Sequence, residues 1–275
     1  LDAFGHDGQL TVPDLFSTEK IDGALADLAE WDAEFRAILT DEQREWYLED
    51  PADPASPFRK LDNPVFHRAT FRELATTPAL VAAVEQLIGP GVTLFFSQVF
   101  CKPPEVGGPK PVHQDNFYFA PSNTDALLTT WIALDAATEE NGCLQVQPRG
   151  HAQRIVYWTY TKDLPPTERV GLPMEKGDVL IMHKLTPHGS GPNNTDLVRW
   201  SMDLRYQKAG TPTGRSCYPD FAVLSRADPS SVLTEFATWD RLWLEALEEY
   251  PQKVGRKTRP DGPAPQKVSG RSRPS

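Results

Sequence analysis

Cysteine is scarce in this 275-residue chain: Cys101, Cys143 and Cys217 stand far apart, with none of the close pairing that marks a structural zinc site. An odd, scattered set excludes a disulfide-stapled scaffold and is what a reducing cytoplasm leads one to expect. Histidine is also sparse, with six residues, so metal-site candidates can be enumerated. No stretch approaches the roughly 18 apolar residues of a membrane-spanning helix. The opening residues, Leu1 to Phe4, lack the basic-then-apolar order of a signal peptide. Positive charge is in deficit: the net charge is −10, and because residues 252–275 carry seven basic residues against the single acid Asp261, the rest of the chain stands at −16. A body of that sign repels nucleic acid and shows no obvious basic cluster outside the tail. What is present, 39% hydrophobic and 24% charged residues, describes an ordinary globular protein able to bury a core.

The patterning suggests one elaborated domain over 1–251: a helical part at 1–91, a β-rich core at 92–207 and a C-terminal helical segment at 208–251. Ser17 or Thr18 can cap a helix whose apolar stripe runs through Ile21, Leu25, Leu28, Phe35 and Ile38. A second helix follows Thr77 and Pro78 and stops at Gly89-Pro90. Between them, residues 48–64 read as a loop. From Val92 the texture changes to short β-prone runs at 92–101, 116–120, 127–134, 143–146, 179–182 and 197–206. With no long helix between them, these predict an antiparallel sandwich or barrel. In the last run Val198, Trp200, Met202, Leu204 and Tyr206 share one face, and Arg199, Ser201, Asp203 and Arg205 the other. Leu233, Trp239, Leu242, Trp243, Leu247 and Tyr250 suggest a final helix. Residues 252–275, basic and almost without apolar side chains, read as a flexible solvated tail; contact with an acidic partner is the lesser alternative.

His113 and Asp115 are two apart, which on an extended strand places both side chains on one face. A third ligand can come from Pro187-His188-Gly189-Ser190, where glycine lets the backbone turn closely past a metal. Two imidazoles and a carboxylate form the facial triad of non-haem Fe(II) sites, which leaves positions open for an oxidant and a co-substrate. His183 is the rival third ligand, but a residue ending an apolar run more often packs or bonds to backbone. Arg199, eleven residues after His188, and Ser190 can hold the distal carboxylate of a dicarboxylic keto acid, because a guanidinium presents a donor fork matched to a carboxylate. His151 reads as structural, His6 and His67 have no partner at useful spacing, and Cys101 and Cys143 read as inert core.

Taken in order, Lys102-Pro103-Pro104, His113 to Asp115, Thr130 to Asp135, Glu140 to Leu144, His188 to Ser190 and Arg199 resemble the phytanoyl-CoA dioxygenase family of Fe(II)- and 2-oxoglutarate-dependent oxygenases, over about Lys60 to Gln207. The resemblance implies a mainly β fold with flanking helices: a double-stranded β-helix, or cupin-like jelly roll. It implies Fe(II) on His113, Asp115 and His188, 2-oxoglutarate on Arg199 and Ser190 with Gln98, Trp131 and Lys60 around it, and O2 as oxidant. Family members that halogenate replace the carboxylate, so Asp115 argues against that chemistry here.

Tyr118 and Trp158 are the substrate-binding candidates, from the aromatic groups Phe117-Tyr118-Phe119 and Trp158/Tyr160. The resulting expectation is a hydroxylase acting on a free small molecule such as a secondary metabolite, releasing succinate and CO2, with no nucleic-acid or membrane partner, as a monomer or homodimer. An acyl-CoA hydroxylase of the same mechanism is the alternative, followed by a zinc hydrolase and a non-catalytic metal-binding jelly roll.

Overall fold

Ten residues of period-two alternation become the central strand of the molecule. The structure is a computed structural model that describes residues 2–105, 107–119, 126–152, 168–211, 221–226 and 228–235, with isolated positions as far as Glu245. The strands are β1 (Gln9–Val12), β2 (Lys60–Asp62), β3 (Val92–Lys102), β4 (Lys110–His113), β5 (Leu127–Ala133), β6 (Leu144–Val146), β7 (Val170–Leu172), β8 (Val179–His183), β9 (His188–Ser190), β10 (Arg199–Lys208) and β11 (Phe221–Leu224). The helices are α1 (Asp2–Asp7), α2 (Thr18–Ala37), α3 (Asp41–Tyr47), α4 (Pro64–His67), α5 (Ala69–Ala75), α6 (Pro78–Ile88) and α7 (Asn116–Phe119).

All strand pairs are antiparallel. The larger sheet runs β1-β8-β5-β10-β3-β11, with β2 also on β3, and the smaller runs β4-β9-β6-β7. Residues directly opposite each other in a ladder point to the same side, so register assigns every face. Arg199, Ser201, Asp203 and Arg205 lie across from Lys102, Phe100, Gln98 and Phe96 of β3. On the other flank Ser201, Asp203 and Arg205 meet Ala133, Trp131 and Thr129 of β5, and Trp131 and Thr129 meet Leu180 and Met182 of β8. This side faces the smaller sheet: Trp131, Ala133, Leu180 and Met182 pack with Leu144, Val146 and Leu172 in one buried cluster. The other side, with Met202, Leu204, Tyr206, Ile132 and Val99, packs with helix residues Ile21, Leu28, Phe71, Leu74, Leu80 and Val84. The architecture is a jelly roll whose larger sheet is backed by helices.

Both long helices form as the sequence predicts, with one difference in capping. Ser17 Oγ accepts from Lys20 N at 3.3 Å. Thr77 sits at the N-cap of α6, but its hydroxyl donates to Glu73 O at 2.7 Å and caps nothing. Three local expectations need correction. The 48–64 segment contains β2, and the helical N-terminal part contains β1; these strands of three and four residues exist because β3 and β8 offer them edges. Residues 116–119 form the short helix α7 instead of a strand. Most of the predicted C-terminal helix, Cys217, and the whole of 252–275 lie outside the described residues. No helix among the described residues is long and apolar enough to cross a membrane.

Candidate metal centre and co-substrate pocket

β4 and β9 bring two imidazoles together. His113 lies directly across from His188, and their ring centroids are 4.3 Å apart. Asp115 does not share a strand face with His113, as its spacing suggested: β4 ends at His113 and the chain turns into α7. The turn nevertheless delivers the carboxylate, with Asp115 Oδ1 3.9 Å from His113 Nε2 and 4.0 Å from His188 Nε2. All three ligand atoms fall within 4.8 Å of one another.

The second nitrogen of each ring sets its tautomer. His113 Nδ1 lies 2.9 Å from Pro111 O and His188 Nδ1 2.9 Å from Thr186 O. A carbonyl only accepts, so each Nδ1 carries the proton and each Nε2 turns a lone pair inward. Two lone pairs and a carboxylate oxygen converge at separations too long for hydrogen bonds, a cluster of acceptors that a divalent cation satisfies. Burial, then the neighbouring His188, depresses the His113 pKa to about 4, which keeps the ring neutral and ready to ligate. For Asp115, burial acts upward but Arg205, His188 and His113 outweigh it, and its pKa falls to about 2.

Around this cluster lies a polar network. Arg205 Nη2 donates to Asp115 Oδ1 at 3.1 Å and to Asp203 Oδ2 at 3.2 Å, while Thr129 Oγ1 donates to Asp115 Oδ2. Both carboxylate oxygens of Asp115 are thus held. The sequence points to no role for Arg205, Asp203 and Thr129, although the alternation of β10 places the first two on the lumen face; the missing signal is which loop folds against that face.

Arg199 is 4% exposed at the lumen face of β10. Its Nη1 donates to Ser201 Oγ at 3.2 Å, its Nη2 approaches Gly142 O at 3.5 Å, and its guanidinium lies 5.5 Å from the Trp131 ring centroid. Its Nε is buried without a hydrogen-bond partner. Ser190 follows His188 on β9 with the same facing, across from Leu144. Gln98 and Lys60 also face the lumen, but both engage Asp62: Gln98 Nε2 donates to its carboxylate, and Lys60 Nζ lies 3.3 Å from it, 3.9 Å from the Trp46 ring centroid. Burial, opposed by Asp62, lowers the Lys60 pKa to about 8.

Tyr118 stands edge-on to His113 with centroids 5.6 Å apart, whereas Trp158 lies outside the described residues. His183 accepts from Leu185 N through Nδ1 at 3.1 Å and takes no part in the cluster. His151 reaches Gly5 O at 3.2 Å. Cys101 and Cys143 are free and buried, their pKa values pushed up by desolvation. Gly189 serves a purpose different from the expected one: the backbone it lets approach is that of β4, since a Cβ there would lie 2.7 Å from Lys110 O.

Residues 4–201 match the family described as phytanoyl-CoA dioxygenase (PhyH). The chain belongs to that family. Among its relatives, the human peroxisomal phytanoyl-CoA dioxygenase is 31% identical over 151 residues, covering 49% of this chain and 45% of the human one. The chain therefore matches less than half the length of that relative. A probable alpha-ketoglutarate-dependent hypophosphite dioxygenase of Stutzerimonas stutzeri is 25% identical over 242 residues, covering 82% of this chain and 84% of the other. Among solved structures, the epimerase SnoN in complex with Fe3+, alpha ketoglutarate and nogalamycin RO superposes with a TM-score of 0.61 at 25% identity, over 76% of this chain and 82% of that one. The family's iron and 2-oxoglutarate are the cofactors this donor set suits.

Proposed function

We propose that this protein is an Fe(II)- and 2-oxoglutarate-dependent dioxygenase that hydroxylates an unactivated C–H bond of a small organic molecule. One atom of O2 enters the product hydroxyl and the other enters succinate, with loss of CO2. The observation that carries the reading is the convergence of His113 Nε2, His188 Nε2 and Asp115 Oδ1 in one lumen with the buried, partly unpartnered guanidinium of Arg199. His113, Asp115 and His188 would hold Fe(II), which would supply the redox chemistry that couples O2 to the keto acid.

The chain's own groups do the rest. His113 and His188 present lone pairs fixed by Pro111 O and Thr186 O, and Arg205 with Thr129 stops Asp115 from rotating. Arg199 and Ser190 hold the distal carboxylate of 2-oxoglutarate, Trp131 walls it, and Gln98 and Lys60 border it through Asp62. Leu144, Val146 and Met182 keep bulk water from the apolar side of the lumen, and Tyr118 contacts the substrate beside His113. A zinc hydrolase has no use for an Arg199 poised for a keto acid. The relatives' named substrates, phytanoyl-CoA and hypophosphite, differ so widely that they set no substrate here. The buried free thiols of Cys101 and Cys143 suit a reducing, cytoplasmic setting.

The test is anaerobic loading with Fe(II) and 2-oxoglutarate, admission of O2 with a panel of small acids and neutral metabolites, and assay of succinate. Stimulated succinate release by the wild type and its loss in Asp115→Ala are expected. Equal succinate release by Asp115→Ala, or a preference for zinc with hydrolysis and no succinate, would refute the reading.

A further inference from the structure

The basic residues that look dispersed along the sequence are not dispersed in space. Lys60, Lys102 and Arg199 share the lumen face of the larger sheet, linked through Phe100 and Ser201. From the opposite sheet comes Lys110. It lies directly across from Ser190, and a bulge between Lys110 and His113 keeps both β4 residues in register with the inward face of β9. Its Nζ is 5.1 Å from the centroid of the lumen-facing Phe100 ring.

The four cations are satisfied unequally. Lys60 is paired with Asp62. Lys102 donates to Gly108 O at 2.7 Å and Gly191 O at 2.6 Å. Arg199 has Ser201 Oγ and Gly142 O and, in the proposed reaction, the distal carboxylate of 2-oxoglutarate. Among the described residues, the Lys110 ammonium makes no ion pair and no hydrogen bond. Desolvation nevertheless lowers its pKa, although the side chain remains exposed. Its place across from Ser190 and beside the lumen-facing Phe100 ring puts this exposed group at the edge of the space between the two sheets. Glu49 and Asp203 favour its charge from a distance, while Arg59 and Arg199 oppose it, and it in turn acts on Lys60.

We propose that Lys110 binds an oxyanion of the substrate, a carboxylate or a phosphonate, and so selects small acids for oxidation. The assignment rests on the proposed dioxygenase reading and narrows its substrate class. In the proposed reaction the two carboxylates of the keto acid are taken up by the metal site and Arg199, which leaves the Lys110 ammonium as a donor-rich cation facing the same space. Position limits the size of the ligand. The Lys110–Ser190 pair lies two residues along β9 from the His113–His188 pair, or about 7 Å at the usual rise per residue. The anion and the oxidised carbon are then separated by only a few bonds, too short a span for the phosphates of a CoA thioester.

Binding under anaerobic conditions tests this without turnover. Wild type, Lys110→Met and Lys110→Arg, loaded with Fe(II) and 2-oxoglutarate, are titrated calorimetrically with methylphosphonate and butanoate and with their neutral counterparts, dimethyl methylphosphonate and butanamide. The wild type is expected to bind at least one anion roughly tenfold more tightly than its neutral partner. Lys110→Met should bring that ratio near one while leaving the affinity for 2-oxoglutarate within about twofold, and Lys110→Arg should keep the preference. If neither anion is preferred, or if Lys110→Met weakens 2-oxoglutarate as much as the anion, the assignment is wrong and Lys110 is at most part of the co-substrate site. Failure of the wild type to take up 2-oxoglutarate with Fe(II) would instead remove the dioxygenase reading, and the assignment with it.

Discussion

Asp115 is held at both oxygens, and the residue doing most of the holding is itself a buried ion. Arg205 bridges Asp115 and Asp203, two carboxylates only 1% and 8% exposed. Burial, then Arg205 acting against it, leaves the Asp203 pKa raised, so the guanidinium is what allows Asp115 to stay ionised beside a second acid. Removing one partner of such a buried pair costs about 3–5 kcal/mol, and disturbing a group that orients a metal ligand costs about 10–100-fold in metal affinity. Arg205→Met should therefore lower the unfolding free energy of the metal-free protein by several kcal/mol and weaken Co(II) binding. Adding Asp203→Asn should recover stability but not metal affinity, as read by urea denaturation and competitive metal titration; recovery of both would show that Arg205 merely balances charge. Lys102 gives a second test at this scale. Burial, then Arg199 and Lys110, lowers its pKa to about 7. Between that value and 10.5 the unfolded chain holds a proton that the folded chain has released, so rising pH favours folding; below pH 7 both states are protonated and the penalty is constant. The stability of wild type relative to Lys102→Met should rise from pH 7 to 9.5 by on the order of 2–3 kcal/mol. A flat difference would mean the carbonyls of Gly108 and Gly191 fully sustain the charge.

At the level of elements, the geometry of the proposed metal ligands depends on how closely β4 and β9 pack. Gly189 sits between His188 and Ser190, and a Cβ there would meet Lys110 O at 2.7 Å and Val112 Cα at 3.2 Å, both backbone atoms. Gly189→Ala must push the strands apart and separate His113 from His188 without altering any ligand. A drop in metal affinity of tenfold or more, measured by metal competition, is expected; unchanged affinity would show that the site tolerates a wider sheet. The same elements show what a sequence makes legible. β3, β5 and β8 are readable as short β-prone runs, β10 by its period-two alternation, and α6 because Pro78 and Gly89 punctuate an apolar stripe. β1 and β2 escape because at four and three residues they are too short for a period to show, and their strand state comes from the edges they join. The aromatic run after Asp115 reads as strand by propensity, yet a turn there is what brings the carboxylate beneath both imidazoles. The grouping of His113 and His188 is legible as residue types, whereas Asp115 joins them through a turn and not through the strand face that its spacing implies. The cationic lumen is not legible, because Lys60, Lys102, Lys110 and Arg199 come from four different strands.

Across the whole molecule, the beginning of the described chain is tied to the loop that delivers His188, the last of the proposed metal ligands. β1 adds to the exposed edge of β8, pairing Gln9 through Val12 with Met182 through Val179. Just before it, Gly8 O accepts from His183 N at 2.9 Å and from Thr186 Oγ1 at 2.6 Å. Thr186 O in turn fixes the tautomer of His188, and Asp7 O and Gly5 O anchor Arg149 N and His151. The N-terminal turn thus clamps both the 149–152 segment and the approach to His188. Gly8 makes the clamp possible: its φ is +75°, and a Cβ would lie 2.3 Å from His151 Nδ1 and 2.6 Å from Thr186 Oγ1. A side chain here is strained in the backbone and has no space. Gly8→Ala should cost roughly 1–3 kcal/mol in unfolding free energy and, by shifting Thr186, weaken metal binding at His188 far along the chain. Gly5→Ala, three residues away in α1 with nothing within 4 Å of the added atom, is the matched control and should leave metal affinity unchanged. If both variants bind metal like the wild type while only Gly8→Ala is less stable, the N-terminal turn supports the fold alone; if Gly8→Ala loses metal affinity, the order of the proposed iron site is set in part from the N-terminal turn.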